Sequence, residues 1–206
     1  KDMGNRIYPI GIQNFEKIRK EGYVYVDKTA LMYKLVKSGS YFFLSRPRRF
    51  GKSLLISTLE AYFEAKRDLF EGLAVETLEK DWVKRPVFHL DLNIGKYDTP
   101  DSLDKILNET LDYWESLYGT RSAETTLALR FAGVVGRAYE QSGERVAILI
   151  DEYDKPLLQA IGNEELQREF RNTLKPFYGV LKTMDGCIKF ALLTGVTKFG
   201  KVSVFS

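Results

Sequence analysis

Three short polar segments of the 206-residue chain carry side chains that could act together on a phosphate group. They are Gly51-Lys52-Ser53, Asp151-Glu152, and the pair Thr194 and Thr197. A lysine can bind phosphate oxygens, a serine hydroxyl and an aspartate can bind Mg²⁺, and a neighbouring glutamate can orient an attacking water. The chemistry that these residue types share is the binding and hydrolysis of a nucleoside triphosphate.

The first segment matches the end of the phosphate-binding loop pattern G-x-x-x-x-G-K-[ST]. Gly51-Lys52-Ser53 is present, whereas Arg46 stands where the leading glycine would be. A helix N-terminus offers unpaired N–H groups and a partial positive charge, which both favour phosphate. The alternative for the segment is a plain helix start, and the alternative for Arg48 and Arg49 is a solvated basic loop. The residues predicted to bind the nucleotide are Arg48, Arg49, Phe50, Gly51, Lys52, Ser53 and Leu54.

The second segment follows an apolar run, residues 146–150, and this combination is the Walker B pattern of hydrolytic triphosphatases. Asp151 at the strand end would hold Mg²⁺ together with Ser53, and Glu152 would polarise the water. Two adjacent carboxylates beside a buried strand are costly unless a metal ion or another cation pairs with them. The alternative is a surface loop whose acidic residues cap the next helix.

The third segment follows another apolar run, residues 188–193. A polar residue here would sense the γ-phosphate or position water, with Thr194 as the better candidate and Thr197 as the second. An ordinary turn at a strand end is the alternative. The predicted catalytic residues are thus Lys52, Glu152 and Thr194, and the predicted metal ligands are Ser53 and Asp151.

These segments must be positioned by strands and helices that alternate along the chain. The apolar runs 41–44, 87–92, 146–150 and 188–193 are typical of buried strands, and apolar residues between them recur at helical spacing, with a kink or break expected at Pro176. This order predicts an α/β fold, a mainly parallel sheet between two layers of helices. Ligands bind at the carboxyl ends of such strands, where all three segments fall.

The strand at 87–92 separates the first two segments along the chain. That spacing favours a P-loop NTPase fold, a sheet between two helix layers, in which a strand is inserted between the strand before the phosphate-binding loop (the Walker A strand) and the Walker B strand. It argues against simpler kinase or GTPase layouts, where those two strands are neighbours.

Composition and charge limit the class of protein. Hydrophobic residues make up 44% and charged residues 29% of the chain, as in ordinary globular proteins. A net charge of +3 does not indicate a nucleic-acid-binding protein, although a local basic cluster keeps that function open. One cysteine, Cys187, and one histidine, His89, exclude an internal disulfide and a His/Cys zinc site. Apolar runs are too short for a membrane span, and a cytoplasmic location is predicted.

Several of these stretches resemble the predicted AAA-ATPase-like proteins of bacteria and archaea. They are residues 25–29 (YVDKT), 46–55, 149–156 (LIDEYDKP) and 193–196. The resemblance spans nearly the whole chain and implies a core like that of AAA+ and related signalling ATPases, with ATP or ADP and Mg²⁺ as ligands. The loop of this family commonly lacks the leading glycine, so Arg46 fits. Many members carry a C-terminal restriction-endonuclease-like domain.

We expect residues 1–39 to form an N-terminal segment that packs on a core of residues 40–206. The fifth strand, the helical lid and any arginine finger are expected beyond this core, in a longer protein whose C-terminal domain would be a partner. Three functions stay open: an ATPase, a nucleotide-dependent switch with rare turnover, and a nucleic-acid-binding module that uses Arg46, Arg48, Arg49, Lys198 and Lys201. An oligomer is also open.

Overall fold

The computed structural model describes residues 7–9, 11–45 and 51–197. The strands within these ranges are β1 (Tyr41–Ser45), β2 (Val87–Asp91), β3 (Val146–Asp151) and β4 (Ile188–Gly195). The helices are α1 (Phe15–Lys20), α2 (Thr29–Ser38), α3 (Lys52–Phe63), α4 (Ala74–Leu78), α5 (Ser102–Tyr118), α6 (Leu127–Ser142), α7 (Lys155–Gln159) and α8 (Glu164–Thr183). Each of the apolar runs predicted to be a strand forms one. Short 3₁₀ turns occupy Arg67–Phe70, Leu92–Ile94 and Asp185–Cys187.

The strands form one parallel sheet in the order β1-β4-β3-β2, which confirms the α/β prediction. The strand between β1 and β3 in the sheet is β4, whereas β2 separates them along the chain and pairs with β3. Ser45 lies opposite Gly195, and Asp91 lies opposite Asp151. Because the strands are parallel, their carboxyl ends share one edge of the sheet, and the polar segments meet there.

Helices cover both faces of the sheet. Ile148 and Ile150 of β3 belong to one apolar cluster, and Ala147 and Leu149 belong to the other, since successive strand residues point to opposite faces. This burial on both sides explains why β3 is a continuous apolar run rather than an alternating one. The first cluster includes residues of α5, α6 and α8, such as Leu107, Val134 and Leu174, and the second includes residues of α2 and α3, such as Met32 and Leu59.

The described part of the N-terminal segment packs against α3. Phe15 is fully buried, and its N–H donates to Ser57 Oγ at 2.9 Å. Asp27 connects two helices, because its Oδ1 accepts from the N–H of Thr29 at 2.9 Å and its Oδ2 accepts from the N–H of Ala74 at 2.7 Å. The division of the chain at residue 39 stays a prediction.

Across the described ranges, no helix combines the length and the apolar character needed to cross a membrane.

Candidate functional site

Five side chains from the three predicted segments meet at the carboxyl edge of the sheet. Ser53 Oγ donates to Asp151 Oδ2 at 2.9 Å, and Thr194 Oγ1 donates to Asp151 Oδ1 at 2.5 Å. The Lys52 ammonium lies 3.3 Å from Glu152 Oε1. The segments that the sequence singled out, 98 residues apart between Ser53 and Asp151, are therefore parts of one polar cluster.

The start of α3 is set by Gly51. Its φ of 73° and ψ of 20° lie in the left-handed region, which a glycine adopts without the penalty that a Cβ brings. Lys52 and Ser53 then occupy the first turn of α3, where N–H groups have no partner within the helix. This turn holds no acidic residue, so the partial positive charge of the helix start is not neutralised by its own side chains.

The structure does not describe most of the other residues of the predicted loop. Arg46, Arg48, Arg49 and Phe50 lie outside the described residues, as do Lys198 and Lys201, so the nucleic-acid alternative stays a prediction. Leu54, also predicted to bind nucleotide, packs its side chain against the apolar cluster of α2 and α3, which leaves its backbone N–H as the group that could face a phosphate.

Lys52 points inward and is only 5% exposed. Its ammonium donates to the carbonyl oxygen of Gly195 at 2.9 Å and pairs with the Glu152 carboxylate. A buried charge requires such partners, because desolvation without them costs several kcal/mol. The ammonium is thus held between the end of β3 and the end of β4.

Asp151 is buried and accepts hydrogen bonds from two hydroxyl groups. A carboxylate beside a serine hydroxyl supplies the hard oxygen ligands that Mg²⁺ takes, so the donor set fits this ion. Among the described residues, no three His, Cys, Asp or Glu side chains are grouped to hold a metal ion by themselves. Magnesium that also binds substrate phosphates and water needs only one or two protein ligands.

Glu152 occupies an unusual backbone conformation. Its φ is 58°, a left-handed value that costs a residue with a Cβ about 1–2 kcal/mol. Its N–H donates to Thr194 Oγ1 at 3.2 Å. The side chain is buried, with Oε1 facing Lys52 and Oε2 without a hydrogen-bond partner. The conformation turns the carboxylate toward the lysine and leaves one oxygen able to accept a further hydrogen bond.

Thr194 links the two acidic residues. It is fully buried, donates to Asp151 and accepts from the Glu152 N–H, while its carbonyl oxygen accepts from the Tyr153 N–H at 2.9 Å. Thr197, the second candidate from the sequence, belongs to a different contact, because its Oγ1 donates to Asp154 Oδ2 at 2.5 Å.

Sequence reasoning assigned no role to Asp154 and Gly195, although both stabilise the cluster. Asp154 is fully buried and accepts hydrogen bonds from the turn after β4, and the Gly195 carbonyl holds Lys52. The signal that could have found Asp154 is a third acidic residue three positions after Asp151.

Two titratable residues of β2 lie beside the cluster. Asp91 Oδ1 accepts from the Asn93 N–H at 2.9 Å, and burial, followed by the nearby Asp151 carboxylate, raises the pKa of Asp91. His89 Nδ1 lies 3.2 Å from Glu60 Oε2. Burial lowers the pKa of His89, but the hydrogen bond and charge of Glu60, with the charges of Asp91 and Asp151, outweigh it, so the net shift is upward.

The parallel sheet has helices on both faces, and a lysine and a serine at the start of α3 face acidic residues at the end of β3. This arrangement fits a P-loop-like α/β fold. The chain belongs to the predicted AAA-ATPase family, whose profile matches residues 9–205. This match confirms the resemblance to the predicted AAA-ATPase-like proteins that the motifs indicated. Membership of the family indicates a nucleotide-binding, ATPase-like domain.

A relative from Azotobacter chroococcum mcd 1, described as an uncharacterized protein in the vnfD 5' region, is 41% identical over 206 residues. The alignment covers 99% of this chain and 40% of the relative, so the chain spans less than half of that protein's length. No solved structure matches the chain.

Proposed function

We propose that the chain is the nucleotide-binding core of a Mg²⁺-dependent ATPase, whose turnover is coupled to a conformational change in a larger protein. The observation that carries this proposal is the convergence of Lys52 and Ser53, at the start of α3, on Asp151 and Glu152 at the end of β3. The sheet order supports it, because β4 separates β1 from β3 as in the Walker A and Walker B layout with an inserted strand.

Ser53 and Asp151 are the proposed Mg²⁺ ligands. Their oxygens lie 2.9 Å apart, and Thr194 fixes the second carboxylate oxygen of Asp151 through its own hydrogen bond. Bound Mg²⁺ neutralises charge that develops on the phosphate oxygens. Because both Asp151 oxygens already accept hydrogen bonds from hydroxyl groups, the carboxylate is oriented before the ion arrives.

Lys52 is the proposed phosphate-binding cation. To reach a phosphate, its ammonium must exchange its contact with Glu152 for phosphate oxygens, while one of its three N–H donors keeps the hydrogen bond to the Gly195 carbonyl. That exchange releases the Glu152 carboxylate, which can then accept a proton from, or orient, the attacking water. The unpartnered Oε2 of Glu152 supports this role, because it can accept a hydrogen bond from that water.

The remaining predicted nucleotide-binding residues stay in the proposal. Arg48, Arg49 and Phe50 would surround the phosphates within the loop, and the Leu54 N–H would join those of α3's first turn. We also keep as proposals ATP and ADP as the nucleotides, a cytoplasmic location, self-association, and a nuclease-like C-terminal domain as the part of the longer protein that responds.

Three variants of the full-length protein test these roles. Lys52→Ala should weaken ATP affinity by about tenfold or more, since a charged phosphate contact contributes roughly 1.5–3 kcal/mol. Glu152→Gln should keep the affinity and reduce turnover on the order of 10²-fold. Asp151→Asn should weaken only the Mg²⁺-dependent part of binding. Calorimetry measures affinity and phosphate release measures turnover.

The matched control is Glu109→Gln, which makes the same chemical change on an exposed position of α5. If Lys52→Ala binds ATP as tightly as the wild type, the phosphate site is not at α3. If Glu152→Gln hydrolyses ATP as fast as the wild type, Glu152 does not act on the water.

A nucleotide-dependent switch is the second candidate, and the Lys52–Glu152 ion pair favours it. While Lys52 holds Glu152, the carboxylate cannot orient water, so a bound nucleotide could persist without turnover. A wild type that binds ATP tightly but releases no phosphate would establish the switch in place of the hydrolase.

A further inference from the structure

The turn that follows β4 is held by a buried carboxylate from the neighbouring strand's exit. Asp154 is fully buried, and its Oδ2 accepts from the N–H groups of Val196 and Thr197, at 3.1 and 2.7 Å, and from Thr197 Oγ1 at 2.5 Å. Asp154 directly precedes α7, yet its side chain makes no capping hydrogen bond to that helix. The hydrogen bonds of this carboxylate therefore stabilise the turn formed by residues 195–197.

The same turn contacts both ends of the proposed phosphate loop. The Gly195 carbonyl accepts from the Lys52 ammonium at 2.9 Å, and the Val196 carbonyl accepts from Ser45 Oγ at 3.2 Å. Ser45 is the last residue of β1 before the loop, and Lys52 is the first residue of α3 after it. The position of this turn therefore sets the partners of both loop ends.

Close packing ties the turn to Asp154. A Cβ added at Gly195 would lie 2.5 Å from Tyr153 Cε1 and 2.8 Å from Asp154 Oδ1, so the two segments already touch. The carbonyl of Tyr153 accepts from Tyr178 OH at 2.7 Å, which anchors the segment to α8. A shift of the turn would require Asp154 to move, and Asp154 is enclosed.

We propose that Asp154 is a positioning residue for nucleotide binding: through the turn at 195–197 it sets the carbonyl that holds the Lys52 ammonium. The inference rests on the proposed function, because it takes the nucleotide phosphates to be what Lys52 binds. Asp154 touches neither the phosphates nor Mg²⁺ in this role. It acts through the backbone of Gly195 and so differs from Asp151 and Glu152.

The first experiment needs no nucleotide. Acetic anhydride labels lysines according to their exposure, and peptide mass spectrometry reports the labelling of Lys52 in the full-length protein. In the wild type Lys52 should be protected, since it is 5% exposed. Asp154→Asn and Thr197→Val should raise its labelling rate by about tenfold, because loss of a hydrogen bond to a charged group frees the turn. Thr197→Ser retains the hydroxyl and should stay protected.

The second experiment measures the Kd of MgADP by calorimetry for the same variants. Asp154→Asn and Thr197→Val should raise the Kd by about tenfold, and Thr197→Ser should restore it to nearly the wild-type value. Leu111→Ala, in the α5 core, is the control for general destabilisation and should leave both Lys52 labelling and the Kd near wild type. Asp104→Asn, an exposed carboxylate on α5, controls for the loss of one charge.

The outcomes separate this inference from the proposed function. A wild type that binds no nucleotide, with Lys52 labelling that still responds to Thr197→Val but not to Thr197→Ser, removes the proposed function and keeps the Asp154–Lys52 link. Unchanged labelling in both Asp154→Asn and Thr197→Val overturns the link. Labelling that rises equally in Leu111→Ala overturns it as well, and so does an unchanged Kd in variants of a wild type that binds.

Discussion

His89 is the one histidine of the 206-residue chain, so its imidazole gives a single, unambiguous NMR titration. Its ion pair with Glu60, together with Asp91 and Asp151, raises the pKa against the opposing effect of burial. We expect a pKa above the ordinary value of about 6.5, and Glu60→Gln should lower it. Because the folded-state pKa is the higher one, the stabilisation is complete below the unfolded pKa and is lost as pH rises through the folded pKa.

The control for this titration is Glu64→Gln. Glu64 lies four residues after Glu60, at the end of α3, and its carboxylate pairs with Lys66. That variant should leave the His89 pKa unchanged. A wild-type His89 pKa at or below the ordinary histidine value would contradict the ion pair. A His89 pKa that does not change in Glu60→Gln would contradict it as well.

At the scale of single residues, sequence reasoning predicted the meeting of side chains whose positions are set by the strands. Lys52, Asp151 and Thr194 each come after an apolar run typical of a buried strand, so their meeting at one edge of the sheet was predictable. Asp154 and Gly195 were not found, because their roles depend on which strands are neighbours in the sheet. Only the pairing of β3 with β4 brings Asp154 to the 195–197 turn.

At the scale of elements, Asp27 joins α2 to α4 across 47 residues of sequence. Its carboxylate accepts from Thr29 at the start of α2 and from Ala74 at the start of α4. Asp27→Ala should lower the free energy of unfolding by about 1–2 kcal/mol, the typical cost of losing a helix-capping acceptor. Urea denaturation measures this change.

The pH dependence of this contact has a definite sign. Burial acts to raise the pKa of Asp27, but the hydrogen bonds from Thr29 and Ala74 and the charge of Arg19 outweigh it, so the pKa is lowered. The stabilisation is therefore present above the unfolded pKa and is lost as pH falls through the folded pKa. Asp104→Ala, which removes an exposed aspartate from α5, is the control. Equal unfolding free energies for Asp27→Ala and the wild type would show that the link contributes nothing.

One prediction concerned the continuity of α8. We expected a kink or break at Pro176, and the helix is not broken there, because α8 runs over Glu164–Thr183 with Pro176 inside it. A proline removes one N–H and leaves the carbonyl four residues earlier without a helix partner. Here Pro176 and Asn172 both lie on the exposed face, where water can bond to that carbonyl, while Leu174, Phe177 and Tyr178 anchor the opposite face in the core. Packing thus outweighs the local preference.

At the scale of the whole molecule, a ligand that binds only the folded chain should raise its thermal stability. At a concentration of about 100 times its Kd, MgADP would add about 2.7 kcal/mol. For a chain of this size that corresponds to a rise in Tm of roughly 5–11 °C. Differential scanning fluorimetry measures it. Lys52→Ala should lose most of the rise, and ADP with EDTA should give less of it. A Tm that does not respond to saturating MgADP would contradict a nucleotide site.

The alternation of strands and helices was sufficient to predict the α/β class and a parallel sheet, because parallel neighbours need long crossovers. The order of the strands was less accessible. Nothing in the composition of β4 marks it as the strand between β1 and β3, since all its residues but Lys189 are buried, as are those of β3. Strand order follows from how the crossover helices pack, which involves residues far apart in sequence.

The left-handed conformation of Glu152 has a consequence for how this chain can evolve. Glycine would relax that backbone, but it would also remove the carboxylate that pairs with the buried Lys52 ammonium. Loss of one partner of a buried ion pair costs about 3–5 kcal/mol, which exceeds the strain of about 1–2 kcal/mol. Laboratory evolution guided by heat resistance alone would therefore tend to keep Glu152, and with it the carboxylate proposed to act on water.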